Sequence, residues 1–217
     1  MELKKHKKKL VESIVYLTLG FIIFFGQTSF ALTDGPTAKF NEAVQAVRDK
    51  NYIAAYEGFL PLAEAADHDA QYNLALLLRK GLGHPTNYAQ SLKWTWLAEL
   101  GGNQKAEKLR EELVELVPSD AQEIVRSQTK RILDDRFKSG DSQVILQLAS
   151  FHLSVVVEPD YKSAYALRSL AAALGLEKAV ELRDEIEVQL EPADLIEAQQ
   201  MAASLFKEKN WVVELGE

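Results

Sequence analysis

The chain has 217 residues, with 25 Lys and Arg against 32 Asp and Glu, a formal net charge of −7 at pH 7 and no cysteine. The acidic balance excludes a phosphate-backbone binder, which needs a basic face, and disfavours docking on an anionic bilayer. The missing thiols exclude a disulfide framework, a thiolate metal site, a cysteine nucleophile and a lipid-modified cysteine.

The N-terminus has the layout of a secretory leader. Lys4, Lys5, Lys7, Lys8 and Lys9 precede an uncharged apolar run from Ile14 to Phe25, and Ser29-Phe30-Ala31 gives a small-x-small cleavage site. Residues 1–31 are therefore expected to be a signal peptide and 32–217 the mature domain, placed in a bacterial periplasm. Cleavage after Ala31 would remove five Lys, Glu2 and Glu12, leaving 20 basic against 30 acidic residues and a net charge of −10. The alternative is an uncleaved inner-membrane anchor facing the periplasm. Leu10 to Ala31 is 22 residues, close to the ~20 that span a bilayer.

The mature chain has helical spacing throughout. Phe40, Ala43 and Val47 open it, and Tyr52, Ala55, Phe59 and Leu62-Ala63 continue it after a break at Lys50-Asn51. A third helix places Ala70, Leu74, Leu77 and Leu78 on one face, with Asp69 as its expected cap and the Gly81-Leu82-Gly83-His84-Pro85 turn at its end. Thr86 or Asn87 would cap a fourth helix containing Leu92, Trp94, Trp96 and Leu97. Asn103 would cap a fifth, and Ser119-x-x-Gln122 has capping-box spacing for a sixth. No stretch sustains strand alternation. The expected class is all-α, with about ten helices in antiparallel hairpins.

From Ala70 onward the plan recurs. Gln71 answers to Gln143, Leu74 to Leu146, Tyr88 to Tyr161, Leu97-Ala98 to Leu170-Ala171, Gly102 to Gly175 and Pro118 to Pro192, at an offset drifting from 72 through 73 to 74 residues. A period of that length holds four helices, or two helix hairpins of roughly 36 residues each. Such units stack into solenoids.

The residues of the first copy carry a family resemblance. Asp69-Ala70-Gln71, Leu74-Ala75, Gly81-x-Gly83, Tyr88-Ala89, Leu92, Trp94, Ala98 and Gly102 resemble, in order and spacing, the Sel-one-like repeats of the tetratricopeptide-like α-solenoid superfamily. The second copy is degenerate. Leu153-Ser154-Val155-Val156-Val157-Glu158-Pro159 stands where the glycine turn belongs, and Leu167 where Trp94 does. The resemblance implies a non-enzymatic scaffold that binds another envelope protein or peptide, and no cofactor. The net charge would steer a basic partner.

Contact in such solenoids falls on the inner helix of each hairpin, away from packing positions. That nominates Tyr72, Asn73, Leu76 and Arg79 in the first copy, and Val144 and Gln147 in the second, as protein-binding residues. Asn73 offers both donor and acceptor, and Tyr72 a rigid aromatic anchor. No metal site is expected from His68, His84 and His152, whose spacing is wrong for a shared ion. No catalytic residue is nominated. A hydrolase using groove carboxylates such as Glu111-Glu112 or Asp134-Asp135 is the enzymatic alternative, against which stand the Lys and Arg interleaved with them on helix backs. The tail Trp211-Val212-Val213-Glu214-Leu215 is read as a plug for the last groove or a docking segment.

Overall fold

Asn51, Asp67, Asn87 and Asp160 each stand just before a helix and accept a hydrogen bond from the backbone amide three residues on. Four helix starts are thereby fixed by short polar side chains. The computed structural model describes residues 35–208; the leader, its cleavage site and the Trp211 tail lie outside them. The chain divides into two units, Met1–Lys39 and Phe40–Glu217. In the first, the described residues are Gly35 and the opening turn of a helix, where the Ala38 amide donates to the Gly35 carbonyl (2.8 Å).

The described residues form ten helices and no strand, as the spacing requires. They are α1 Pro36–Arg48, α2 Tyr52–Glu64, α3 His68–Lys80, α4 Tyr88–Leu100, α5 Ala106–Leu116, α6 Ser119–Lys138, α7 Val144–Ser154, α8 Tyr161–Ala173, α9 Ala179–Glu187 and α10 Pro192–Glu208. None is long and apolar enough to cross a membrane.

Within Phe40–Glu217 the packing repeats. Helix α3 pairs with α4, and α4 carries α5 and α6; α7 pairs with α8, and α8 carries α9 and α10. Helix α6 also lies against α7, which joins the copies. One core runs from Ala43 through Leu74, Leu97 and Leu133 to Leu170, and a smaller cluster of Ala164, Tyr165, Ile186 and Ala198 closes the second copy.

Burial corrects the register of the duplication. Ala70, Gln71, Leu74, Ala75 and Leu77 are buried in α3, and Val144, Ile145, Leu148, Ala149 and Phe151 in α7. These sets match at 74 residues, not at the 72 that pairs Gln71 with Gln143. Gln143 precedes the helix and is exposed. From α4 onward the offset is 73: Ser91 matches Ala164, Trp94 matches Leu167, Leu97 matches Leu170, Ala106 matches Ala179 and Val125 matches Ala198, all buried. The turn between α7 and α8 is thus one residue shorter than its counterpart.

Three expected caps also move. Asp67 rather than Asp69 caps α3, accepting from the Ala70 amide at 2.8 Å. Asn103 lies in a turn ahead of α5 and accepts from the Lys105 amide. Gln122 forms no capping box, because its amide donates backwards to the Val114 and Val117 carbonyls, each at 2.8 Å. The Gly81-x-Gly83 turn is as expected. Gly83 has φ 74°, and a Cβ there would stand 2.0 Å from the Tyr52 carbonyl oxygen, so the turn closes on α2 only with glycine.

Candidate functional site: a polar relay beside a cationic cleft

The nominated binding residues part company in the structure. Tyr72, Asn73, Leu76 and Arg79 share the partly exposed side of α3. Tyr72 and Leu76 rest on the core. The Asn73 amide donates to the Asp69 carbonyl one turn back (2.8 Å), and Arg79 is ion-paired with Glu112 of α5. Val144 is 0% exposed and presents nothing to a partner. It is the counterpart of buried Ala70 and is a packing position. Gln147 is also buried, at 8% exposure, and its amide is engaged on both ends.

That amide belongs to a hydrogen-bonded relay across four helices. The Arg136 guanidinium on α6 donates through Nη1 to Gln147 Oε1 on α7 (2.9 Å). Gln147 Nε2 faces His68 Nε2 at the start of α3 (3.3 Å). His68 Nδ1 faces Gln71 Oε1 (3.0 Å), and Gln71 Nε2 donates to the Ala63 carbonyl on α2 (3.0 Å). The ends set the polarity. Guanidinium can only donate and carbonyl can only accept, so both glutamine amides have one orientation and His68 is assigned the neutral Nδ1–H tautomer. Arg136 is itself held by Asp141, which accepts from Nε (2.9 Å) and Nη2 (2.7 Å) through a single oxygen.

His68 and His84 are both partly buried. The His68 ring occupies space that Gly101 leaves open, and His84 stacks on Tyr56 with ring centroids 5.0 Å apart. His152 is half-buried on α7, facing Asp160 at 3.4 Å. Burial pushes its pKa below the ordinary value, against the pull of Asp160.

A cleft of about 220 Å³ opens beside the relay. Ala63, Trp94, Leu97 and Ile132 give it apolar walls, and Glu64, Gln71, Lys93 and Arg136 supply its polar groups. Lys93 Nζ lies 4.4 Å from the centroid of the Trp94 ring, a cation–π contact. Burial lowers the Lys93 pKa, and Glu64 opposes that shift without reaching hydrogen-bond distance. In the sequence Trp94 reads as a residue of the fourth helix, and Lys93 carries no nominated role. Its signal was available: a lysine directly before a core tryptophan, on a helix buried around much of its circumference.

The carboxylates considered for acid–base chemistry are spread along ion pairs. Lys130 binds Asp134 at 2.8 Å, Arg183 binds Asp184 at 2.6 Å, and Arg131 lies 3.8 Å from Asp135. Glu99 pairs with Arg110 at 3.0 Å; burial raises its pKa, and Arg110 opposes the shift. Two further clefts, against α6–α7 and along α10, include one carboxylate each, Glu123 and Glu197. Among the described residues, no group of three or more His, Asp or Glu could hold a metal ion.

No family model matches the chain. No curated protein does either. Among solved structures, the chain is similar to c5321, a protective antigen of uropathogenic Escherichia coli strains that displays an SLR fold. Identity is 18% over 81% of this chain and 46% of that one, with a TM-score of 0.35. The chain thus spans about half the length of that structure.

Proposed function

We propose that this chain is a non-enzymatic helical-repeat scaffold that binds a segment of another protein in the bacterial cell envelope, after export by a leader cleaved behind Ala31. One observation supports it above the rest: among α2, α3, α4 and α6, a cleft joins apolar walls to a cation with no hydrogen-bond acceptor among the described residues. At about 220 Å³ the cleft is smaller than the roughly 300–1,000 Å³ of small-molecule sites. That size suits one anchoring side chain rather than a cofactor. The carboxylates available for hydrolysis are distributed over cation partners instead of being paired in a hollow. The Sel-one-like residues of the first copy, now seen forming a helix hairpin with its glycine turn, favour the same reading. Export is supported by the leader layout alone.

In-cell photocrosslinking from Glu64, Ala66 and Tyr72, with mass spectrometry of both the captured protein and the bait's N-terminus, tests the proposal. A discrete envelope protein captured from the cleft positions, on a bait beginning at Leu32, supports it. Capture of nothing from these positions refutes the binding surface. A bait that retains Met1 replaces the cleaved leader with a membrane anchor.

A further inference from the structure

We propose that the cleft among α2, α3, α4 and α6 is an anchor site for a peptide carboxylate: it takes a partner segment in which a carboxylate, from a C-terminus or an Asp or Glu side chain, stands next to an apolar side chain. The inference rests on the scaffold reading above and names the chemistry that reading leaves open.

The cleft contains two cations and one anion. Lys93 and Arg136 line it, and the counter-charge on its wall is Glu64, which is exposed to solvent. Asp141 pairs with Arg136, so the charges at the cleft balance, whereas the chain as a whole carries a net charge of −7. The chain's overall charge steers molecules at a distance, where salt screens it beyond a Debye length of about 8 Å. Groups in direct contact decide what is held.

Lys93 is the less satisfied cation. An ammonium carries three donors, and among the described residues this one has the face of Trp94 and the distant charge of Glu64. A carboxylate bound there would give the half-buried ammonium a charge-assisted hydrogen bond. Arg136 is better fixed. Three of its five N–H groups go to Asp141 and Gln147, leaving two donors on a guanidinium whose orientation is set by the relay. A guanidinium held in place and an ammonium packed on Trp94, lining one hollow, suit a carboxylate. Trp94, Leu97 and Ile132 place apolar surface beside them, so the carboxylate's neighbour should be apolar. A basic peptide would instead meet Lys93 and Arg136 as like charges.

The test uses the protein from Leu32 onward, labelled with nitrogen-15, and three peptides. One is acetyl-Ser-Gly-Leu-Leu as the free acid. The second is the same peptide amidated at its C-terminus. The third is amidated acetyl-Ser-Leu-Glu-Gly. The free acid should shift the Trp94 indole and the Lys93 amide, and amidation should weaken binding about tenfold or more. Lys93→Met keeps the stem's packing and should bring free acid and amide to equal affinity, with an unchanged circular dichroism spectrum and melting temperature. If the glutamate peptide matches the free acid, a side-chain carboxylate suffices and the inference stands. If free acid and amide bind alike and the glutamate peptide gains nothing, or if none shifts the cleft signals, the inference is wrong. A partner captured at the cleft in cells alongside carboxylate-blind peptides would leave the scaffold reading standing and remove this one.

Discussion

The His68 ring fills the space that Gly101 leaves empty: a Cβ built at position 101 would stand 2.0 Å from His68 Nδ1. Gly101 ends α4 with an ordinary backbone φ of −83°, so its value lies in the missing side chain rather than in conformational freedom. Gly101→Ala should displace the ring and cost about 1–3 kcal/mol as an overpacking change. Urea unfolding of the two proteins measures the difference. Equal midpoints and slopes would show that the ring moves aside without loss.

The relay fixes the state of His68. A long-range proton–nitrogen correlation spectrum at neutral pH should show His68 as the neutral Nδ1–H tautomer, because Gln71 Oε1 accepts from Nδ1 and the Gln147 amide donates to Nε2. Gln147→Leu removes that donor and the Arg136 acceptor together. A persistent Nδ1–H tautomer in this variant would show that Gln71 alone sets it. An Nε2–H tautomer in the parent protein would overturn the polarity of the relay.

Burial separates the two registers of the repeat. Leu148 is 3% exposed and matches Leu74 at 0%, whereas Leu146 is only partly buried. Leu74→Ala and Leu148→Ala should each cost about 2–5 kcal/mol, and Leu146→Ala clearly less. Calorimetric melting of the three variants checks the order. A larger loss at Leu146 than at Leu148 would restore the 72-residue pairing.

Acid should weaken the second copy in two steps. Burial lowers the His152 pKa from its ordinary 6.5, and Asp160 opposes the shift. The unfolded chain therefore takes up the proton first. The stability associated with neutral His152 is present above pH 6.5 and is lost as pH falls from there toward the folded-state value. Asp160 is lowered too: burial pushes it up, but hydrogen bonds from Ser163 and the nearby His152 outweigh that. Its contribution is present above the ordinary value of 3.8 and is lost as pH falls through the folded-state value. Denaturation midpoints followed downward from neutral pH should show both steps, and His152→Gln should abolish the upper one. An unchanged upper step would assign it to another group.

The caps of the paired helices offer a like-for-like comparison. Asn87 accepts from the Gln90 amide and Asp160 from the Ser163 amide, both at 3.0 Å. Asn87→Ala and Asp160→Ala should each cost about 1 kcal/mol; at Asp160 the loss of the His152 contact adds to it. Matched urea titrations of the two variants at neutral pH measure both.

Much of this architecture was legible from residue spacing. Helix-period apolar residues gave the helices, and Tyr88 and Tyr161 marked the first residues of α4 and α8, each 13 residues long. Identity misled where it was sparse. Gln71 and Gln143 are the same residue, yet one is buried in α3 and the other precedes α7, and only packing reveals the difference. Capping residues were ambiguous for a related reason. Asp67 and Asp69 both suit a helix start, and the choice depends on which side chain reaches an open amide. The cleft was harder to read still. It is assembled from α2, α3, α4 and α6, and the contacts of Lys93 with Trp94 and of Arg136 with Gln147 depend on crossings that no local pattern encodes.

The one-residue difference between the α3–α4 and α7–α8 turns has a practical reading for protein engineering. Inside a helix, one added residue would rotate everything beyond it by about 100°. At the shorter turn the same change leaves Tyr161 and its helix in phase, because extra loop length costs little closure entropy. Val157 and Glu158 project into solvent there. An epitope or fluorophore tag inserted between those two residues would be displayed outward while the helix hairpins on either side kept their seating.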